Sequence, residues 1–129
     1  MALTIDALMT RSPHTVGLTV PLVEAKKLMA LHGIRHLPVL DAGALVGLLS
    51  DRDVQLAESL ARFEAQDLLV EDAMSQAPYA VSPQTTLAEV AFAMGQRKLG
   101  SAVVMEGAKV VGVFTTTDGM RVLATLLKD

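Results

Sequence analysis

The chain has 129 residues and a formal net charge of −3; 51% of its residues are hydrophobic and 3% are aromatic, so any core is built from aliphatic side chains. This length suits one compact core, or two small halves sharing one, and is too short for a large multi-domain enzyme. The lack of cysteine excludes disulfide frameworks, iron–sulfur ligation and thiol catalysis, and the lack of a Lys/Arg cluster argues against a nucleic-acid partner.

Membrane and export signals are not evident in the sequence. Charged residues recur too often for the roughly 18 consecutive apolar residues of a membrane span. The first ten residues, MALTIDALMT, lack a basic flank and carry Asp6 within their apolar stretch, which is unlike a secretory signal. We therefore expect a cytoplasmic protein without a membrane partner.

The chain repeats itself without a gap at a spacing of 65 residues. Identical residues in this register include Met9 and Met74, Pro13 and Pro78, Glu24 and Glu89, Met29 and Met94, Val39 and Val104, Gly47 and Gly112, and Asp53 and Asp118. Such self-similarity indicates two copies of one structural unit. We expect repeat 1 over residues 1–65 and repeat 2 over 66–129, packed around a pseudo-twofold axis as one compact module.

Repeat 1 is predicted to run β-α-β-β-α. A short extended piece at 14–16 precedes a helix with Pro21 in its first turn. The apolar stripe of this helix is formed by Leu22, Ala25, Leu28 and Met29. Two apolar runs, HLPVL and ALVGLL, flank a short acidic turn and predict a hairpin covered on both faces. A second helix begins at Ser50.

Repeat 2 follows the same order and places the chain in the α+β class. Its extended piece lies at 79–81, and TLAE at 86–89 is a capping-box pattern. The apolar stripe of the following helix is formed by Leu87, Val90, Ala91 and Met94. The runs GSAVVM and KVVGVF predict the hairpin, and the closing helix begins at Thr115.

Both closing helices begin with a hydroxyl residue followed three positions later by aspartate: Ser50 with Asp53, and Thr115 with Asp118. Capping explains this pattern, because the hydroxyl accepts a first-turn N–H and a carboxylate is favourable there. A ribose phosphate also suits it, since helix N–H groups attract phosphate and a carboxylate accepts hydrogen bonds from ribose hydroxyls. Both interpretations stay open. A glycine three residues earlier would admit a ligand or another chain segment close to the strand.

Taken together, these motifs resemble a tandem pair of CBS domains, the cystathionine-β-synthase-type regulatory repeat. The resemblance covers essentially the whole chain and is carried by DALMT and EDAMS, HGIRHLPVLD, the Gly47 and Gly112 strands, and the hydroxyl-x-x-Asp helix starts. It implies a regulatory module, not an enzyme, that binds AMP, ADP or ATP in clefts between the repeats, with S-adenosylmethionine as an alternative. It also implies a homodimer and a separate effector protein.

The resemblance further implies which residues bind the ligand. The extended pieces would contact the base, the aspartates the ribose, and the hydroxyls and basic residues the phosphates. The implied residues are His14, Thr15, Val16, Arg35, His36, Ser50 and Asp53 in repeat 1, and Tyr79, Ala80, Val81, Thr115 and Asp118 in repeat 2. Gly100 and Ser101 occupy the positions of Arg35 and His36 in repeat 2, so the second site is expected to be weaker.

Two other interpretations remain open. The first is a structural dimerisation or docking module with empty sites, which the missing basic residues at 100–101 and Gly119 in the last helix would favour. The second is a divalent cation held by Asp51, Asp53 and Asp118, although the histidines lack zinc-motif spacing and we expect no metal. Catalysis is not expected, because no histidine is placed to activate either hydroxyl.

Overall fold

A computed structural model describes residues 3–61 and 66–128. The strands are β1 (Thr10–Arg11), β2 (Val16–Gly17), β3 (His36–Asp41), β4 (Ala44–Ser50), β5 (Ser75–Gln76), β6 (Ala80–Val81), β7 (Ser101–Glu106) and β8 (Lys109–Thr115). The helices are α1 (Leu22–His32), α2 (Asp51–Ala61), α3 (Val70–Ala73), α4 (Leu87–Arg97) and α5 (Thr116–Leu126), with a 3₁₀ turn at Ile5–Ala7. The predicted α+β class and element order are confirmed. Within the described ranges, no helix has the length and apolar character needed to cross a membrane.

The described residues form two compact units whose boundaries differ from those of the sequence repeats. The β3–β4 unit comprises His14–Pro78, and the β7–β8 unit comprises the described residues before His14 together with those from Tyr79 onward. The sheet of the β3–β4 unit has the strand order β2-β3-β4-β5, and that of the β7–β8 unit has the order β1-β8-β7-β6. The opening segment of each repeat thus adds an edge strand to the hairpin of the other repeat.

The core of the β3–β4 unit forms between α1 and the β3–β4 hairpin. As predicted from the stripe, Leu22, Ala25 and Met29 are buried, and Leu28 packs at the edge of the cluster. They pack in one cluster with Leu37, Val39, Leu49, Val54 and Val70. Pro21 is the N-cap of α1 and not part of its first turn as predicted, and Gly33 ends the helix at a φ of 62°.

The core of the β7–β8 unit includes Val90 and Met94 from α4 and Phe114 from β8. The predicted stripe is correct for Leu87, Val90 and Met94, but Ala91 is exposed. Ala91 lies at the side of the buried face of α4, next to Phe92, which is 70% exposed. The predicted cap of α4 is present, since the Glu89 N–H donates to Thr86 Oγ1 at 3.2 Å.

Each hairpin contains a glycine against which a methionine from the added edge segment packs. A Cβ on Gly47 would lie 2.6 Å from Met74 Sδ and 2.9 Å from the carbonyl oxygen of Ser75. A Cβ on Gly112 would collide with the side chain of Met9. Of the two roles left open by the sequence, close approach of another chain segment is therefore the one that the structure shows.

Candidate functional site

The start of α2 is held by two reciprocal hydrogen bonds. The Asp53 N–H donates to Ser50 Oγ at 3.0 Å, and the Ser50 N–H donates to Asp53 Oδ2 at 2.9 Å. This is a capping box with aspartate in place of glutamate, so the capping interpretation is confirmed for repeat 1. The cap uses Ser50 Oγ as an acceptor and one carboxylate oxygen of Asp53. It leaves the hydroxyl proton and Oδ1 for other partners.

The start of α5 has the same cap with one additional hydrogen bond. The Asp118 N–H donates to Thr115 Oγ1 at 3.2 Å, and the Thr115 N–H donates to Asp118 Oδ2 at 2.9 Å. The Thr115 hydroxyl also donates to Asp118 Oδ2 at 3.1 Å, and Arg121 Nη1 lies 3.8 Å from Oδ1. Both oxygens of Asp118 and the Thr115 proton therefore have partners within the helix start.

The residues before β3 and β7 are tied to these helix starts through the backbone. The Asp51 N–H donates to the Arg35 carbonyl at 2.9 Å, and the Thr116 N–H donates to the Gly100 carbonyl at 3.0 Å. Across the hairpins, His36 is the register partner of Ser50, and Ser101 is the register partner of Thr115. Each unit therefore gathers positions 35–36 or 100–101 beside its own hydroxyl and aspartate.

His36 lies in the electrostatic field of the first turn of α2. Burial lowers the pKa of the His36 imidazole below its ordinary value, Asp51 and Asp53 partly oppose this effect, and Arg35 adds to it. A pKa below 6.5 favours the neutral form of this ring at pH 7. A bound anion would favour its protonated form, because an opposite charge nearby stabilises the imidazolium.

Ser101 occupies the equivalent position in the β7–β8 unit and is only 3% exposed. Its Oγ has no hydrogen-bond partner among the described residues. The sequence interpretation treated this position as a missing basic residue and overlooked the hydroxyl. The available signal was a single polar residue at the start of the apolar run SAVV.

The extended pieces that the resemblance assigns to the base lie at the same end of each sheet as the helix starts. Strand β2 runs parallel to β3, and β4 runs antiparallel to β3. The register pairs Val16 with Val39 and Ala80 with Val103, so β2 and β6 begin two to three residues in from the starts of β3 and β7. The residues before them run towards the sheet end where β4 or β8 finishes. Strands β2 and β4 lie two strand spacings apart, roughly 10 Å, and so do β6 and β8. The structure thus brings the predicted residues of each repeat to one sheet end without joining the extended piece to the helix start.

A side-chain contact to an aromatic ring accompanies each extended piece. The rings of His14 and His32 stack with centroids 3.7 Å apart and an interplanar angle of 18°. At the equivalent positions, the Arg97 guanidinium lies 5.1 Å from the centroid of the Tyr79 ring. The Tyr79 carbonyl accepts the Val103 N–H at 2.8 Å, so the sheet occupies that backbone acceptor.

Metal ligands do not cluster in the described part of the chain. No group of three or more His, Asp or Glu side chains there is placed to hold an ion. Asp51 and Asp53 belong to the β3–β4 unit and Asp118 to the β7–β8 unit.

Comparison with known proteins identifies relatives along almost the whole chain. The family model for the CBS domain matches residues 5–59 and 70–125. An inosine-5′-monophosphate dehydrogenase of Korarchaeum cryptofilum is 34% identical over 114 residues, which is 88% of this chain and 23% of that protein. The chain therefore spans less than a quarter of that relative's length.

Solved structures share the fold. The match to a protein of Vibrio cholerae named for acetoin utilization, AcuB, has a TM-score of 0.87 and 33% identity, over 98% of this chain and 94% of that one. The match to the CBS domain pair of MJ0100, solved with 5′-methylthioadenosine and S-adenosyl-L-methionine, has a TM-score of 0.80 and 26% identity, over 93% and 98% of the two chains. With two family matches and these structural relatives, the chain belongs to the CBS domain family and carries two CBS domains.

Proposed function

We propose that this chain is a regulatory module that binds adenine nucleotides of the AMP, ADP and ATP type. The observation that carries the proposal is the α2 start. There Ser50 retains a hydroxyl proton and Asp53 an acceptor oxygen after capping, with Arg35 and His36 alongside. The Asp53 oxygen suits a ribose hydroxyl, and the Ser50 hydroxyl with the helix N–H groups suits a phosphate.

The relative MJ0100 supports an adenosyl ligand. Its CBS domain pair was solved with two ligands, 5′-methylthioadenosine and S-adenosyl-L-methionine, that share the adenosyl group with AMP. A base and ribose common to all these ligands would use the parts of the site that both repeats have, namely the extended piece and the aspartate. The 5′ substituent would then lie near positions 35–36 in repeat 1.

Regulation rather than catalysis fits the hydroxyls. Ser50 Oγ and Thr115 Oγ1 both accept a helix N–H, and neither is hydrogen-bonded to a histidine in the described structure. A nucleophile needs such a base to be activated. The ligand would act by favouring one of two arrangements of the protein or of a homodimer. It can shift the equilibrium between them by no more than its difference in affinity for the two. A separate effector protein would read that change.

A docking or dimerisation module is the second candidate function. Large apolar side chains are exposed on α2 at Leu56 and Leu60 and on α5 at Met120, Leu123 and Leu126. Exposed apolar patches of this kind mark protein interaction surfaces. On this alternative the module would associate with the same affinity whether or not a nucleotide is present.

Calorimetric titration tests the proposal. The wild type, titrated with AMP, ADP, ATP, S-adenosylmethionine and 5′-methylthioadenosine, is expected to bind at least one nucleotide. Asp53→Ala should weaken AMP binding about 10-fold or more, because a charge-assisted hydrogen bond to ribose is lost. Asp72→Ala is the matched control: at the start of α3, Asp72 Oδ2 accepts the Leu69 N–H at 2.8 Å, which is the same carboxylate half of the cap that Asp53 makes. Absence of binding by all five ligands at millimolar concentration would refute the proposal.

A further inference from the structure

The buried hydroxyl of Ser101 is not explained by the fold. The next three residues of β7 are apolar and fully buried, and Ser101 Oγ has no hydrogen-bond partner in the described part of the chain. A buried hydroxyl without a partner is destabilising, because it has lost its hydrogen bonds to water. Native proteins keep few such groups, and each one calls for a partner or a function.

The position of Ser101 directs its side chain to the start of α5. Ser101 and Thr115 are directly opposite on adjacent strands, so their side chains share one face with Cβ atoms roughly 4.5–5.5 Å apart. Thr115 uses its side chain on that face to cap α5. The equivalent His36 responds to the charges of Asp51 and Asp53 in the first turn of α2, which places this side-chain position beside the helix start in the other unit as well.

The two sites offer different chemistry at this point. In repeat 1, the Arg35 guanidinium and the protonatable His36 ring can balance the charge of a phosphate. In repeat 2, Gly100 has no side chain and Ser101 contributes one neutral hydroxyl. A neutral hydroxyl can hydrogen-bond a sugar or an uncharged substituent, but it does not offset a phosphate's charge.

The other side chains at the α5 start do not offset the charge of a phosphate either. The Thr115 proton already donates to Asp118. The side chain of Arg121 is 78% exposed and lies 3.8 Å from Asp118 Oδ1, so its charge is screened by water and paired with a carboxylate. The hydroxyl residues Thr116 and Thr117 of the first turn are exposed to water, so Ser101 has the buried hydroxyl without a partner among the described residues of this site.

We propose that the second site takes an adenosyl ligand with no phosphate at its 5′ position and that Ser101 Oγ hydrogen-bonds to it, whereas the first site takes the phosphorylated form. This inference rests on the proposed function and assigns a separate ligand class to each repeat. The two sites then differ in which ligand they select, and not only in how strongly they bind the same ligand.

AMP and adenosine, which differ only in the phosphate, are the probes for this inference. Asp53→Ala, which disables the first site, should lose AMP binding and retain adenosine binding. Asp118→Ala should do the reverse. Arg35→Gly/His36→Ser, which gives repeat 1 the residues of repeat 2 and leaves the caps in place, should lower AMP affinity at least tenfold while adenosine still binds. This double variant replaces Asp53→Ala as the test of the first site if Asp53→Ala does not fold.

Ser101→Ala isolates the hydroxyl. In the Asp53→Ala background, or in Arg35→Gly/His36→Ser, it should reduce adenosine affinity at the second site about fivefold to tenfold, the effect of one lost hydrogen bond. The melting temperature of the ligand-free protein should stay the same or rise, because the removed hydroxyl has no hydrogen-bond partner among the described residues. A fall in melting temperature with unchanged adenosine affinity would show a purely structural hydroxyl and overturn the role given to Ser101.

The failures of the two proposals are distinguishable. Equal affinity of Asp53→Ala for AMP and adenosine would overturn the selectivity inference while leaving adenine-nucleotide binding intact. The same holds if AMP affinity is unchanged in Arg35→Gly/His36→Ser. If the wild type binds neither AMP nor adenosine at millimolar concentration but binds ADP or ATP, the inference fails and the proposed function stands. If it also binds none of the other ligands of the calorimetric titration, both fail.

Discussion

The two helix starts of this protein have the same cap but differ at the residue across the hairpin. Ser50 with Asp53 and Thr115 with Asp118 form the same two capping bonds, all between 2.9 and 3.2 Å. Opposite them, repeat 1 has a titratable histidine, and repeat 2 has a buried serine whose hydroxyl has no partner within residues 3–61 and 66–128. Helix stability therefore accounts for what the copies share, and differences in ligand chemistry are to be sought at positions 35–36 and 100–101.

The largest expected effect on stability comes from replacing the hairpin glycines, Gly47 and Gly112. Gly47→Ala should destabilise the protein by about 1–3 kcal/mol, more than Gly112→Ala, because overpacked side chains and backbone must shift. The new methyl group on Gly47 would meet the Ser75 carbonyl at 2.9 Å, whereas that on Gly112 meets the flexible side chain of Met9. Urea unfolding measures both losses.

Gly95→Ala is the control for this pair. It lies within α4, and outside the helix's own backbone no atom of the described residues is within 4 Å of the added Cβ, so alanine should stabilise the helix by up to about 1 kcal/mol. Equal destabilisation by Gly47→Ala and Gly112→Ala would mean that the two edge segments adapt equally well.

Loss of the capping hydroxyls tests whether the two caps are alike in stability and unlike in binding. Ser50→Ala and Thr115→Ala should each cost about 1 kcal/mol of unfolding free energy. Only Ser50→Ala should also weaken AMP binding, because the Thr115 proton is already donated to Asp118. Thr86→Ala, which removes the cap of α4, is the control and should leave AMP affinity unchanged. Weaker AMP binding in Thr115→Ala would contradict the division of roles.

His36 should make the stability of the ligand-free protein depend on pH. Burial lowers the pKa of the folded-state imidazole below its ordinary value of 6.5, so the unfolded chain takes up the proton first. Stability should therefore fall as the pH decreases through 6.5 towards the lowered folded-state pKa. His36→Ser should remove this part of the pH dependence in urea unfolding between pH 7.5 and 5.5. An unchanged slope would place the sensitivity elsewhere.

The smallest effect concerns an ion pair found at one position of the repeat. Lys26 Nζ lies 3.1 Å from Glu58 Oε1, linking α1 to α2, while Ala91 and Leu123 stand at the equivalent positions of repeat 2. Both side chains are partly exposed, so a double-mutant cycle with Lys26→Ala and Glu58→Ala should give a coupling of about 0.2–1 kcal/mol. The coupling should vanish in 1 M salt. Persistence at high salt would indicate packing instead of charge.

The elements of each repeat could be predicted because their signals are local. The α1 stripe of Leu22, Ala25 and Met29 and the cap formed by Thr86 depend on residues within one or two turns of each other. The prediction of Ala91 as a core residue was wrong because a helical stripe has edges, and only the neighbouring elements decide which edge is covered. The sequence shows the methionines and glycines only as residues that recur in both repeats. The packing of Met9 on Gly112 and of Met74 on Gly47 follows from the strand pairing, which the sequence does not show.

By itself, the sequence determined that this protein contains two β-α-β-β-α repeats of the CBS type, with capped helices beginning next to a serine or threonine and an aspartate. The tertiary structure alone decided which hairpin each opening segment joins, and that the serine opposite Thr115 is buried with no hydrogen-bond partner in the part of the chain that is described. The physical reason is range. A cap or a stripe depends on neighbours a few residues away, whereas the choice between two similar sheet edges and the burial of one hydroxyl depend on segments that meet only after the chain has folded.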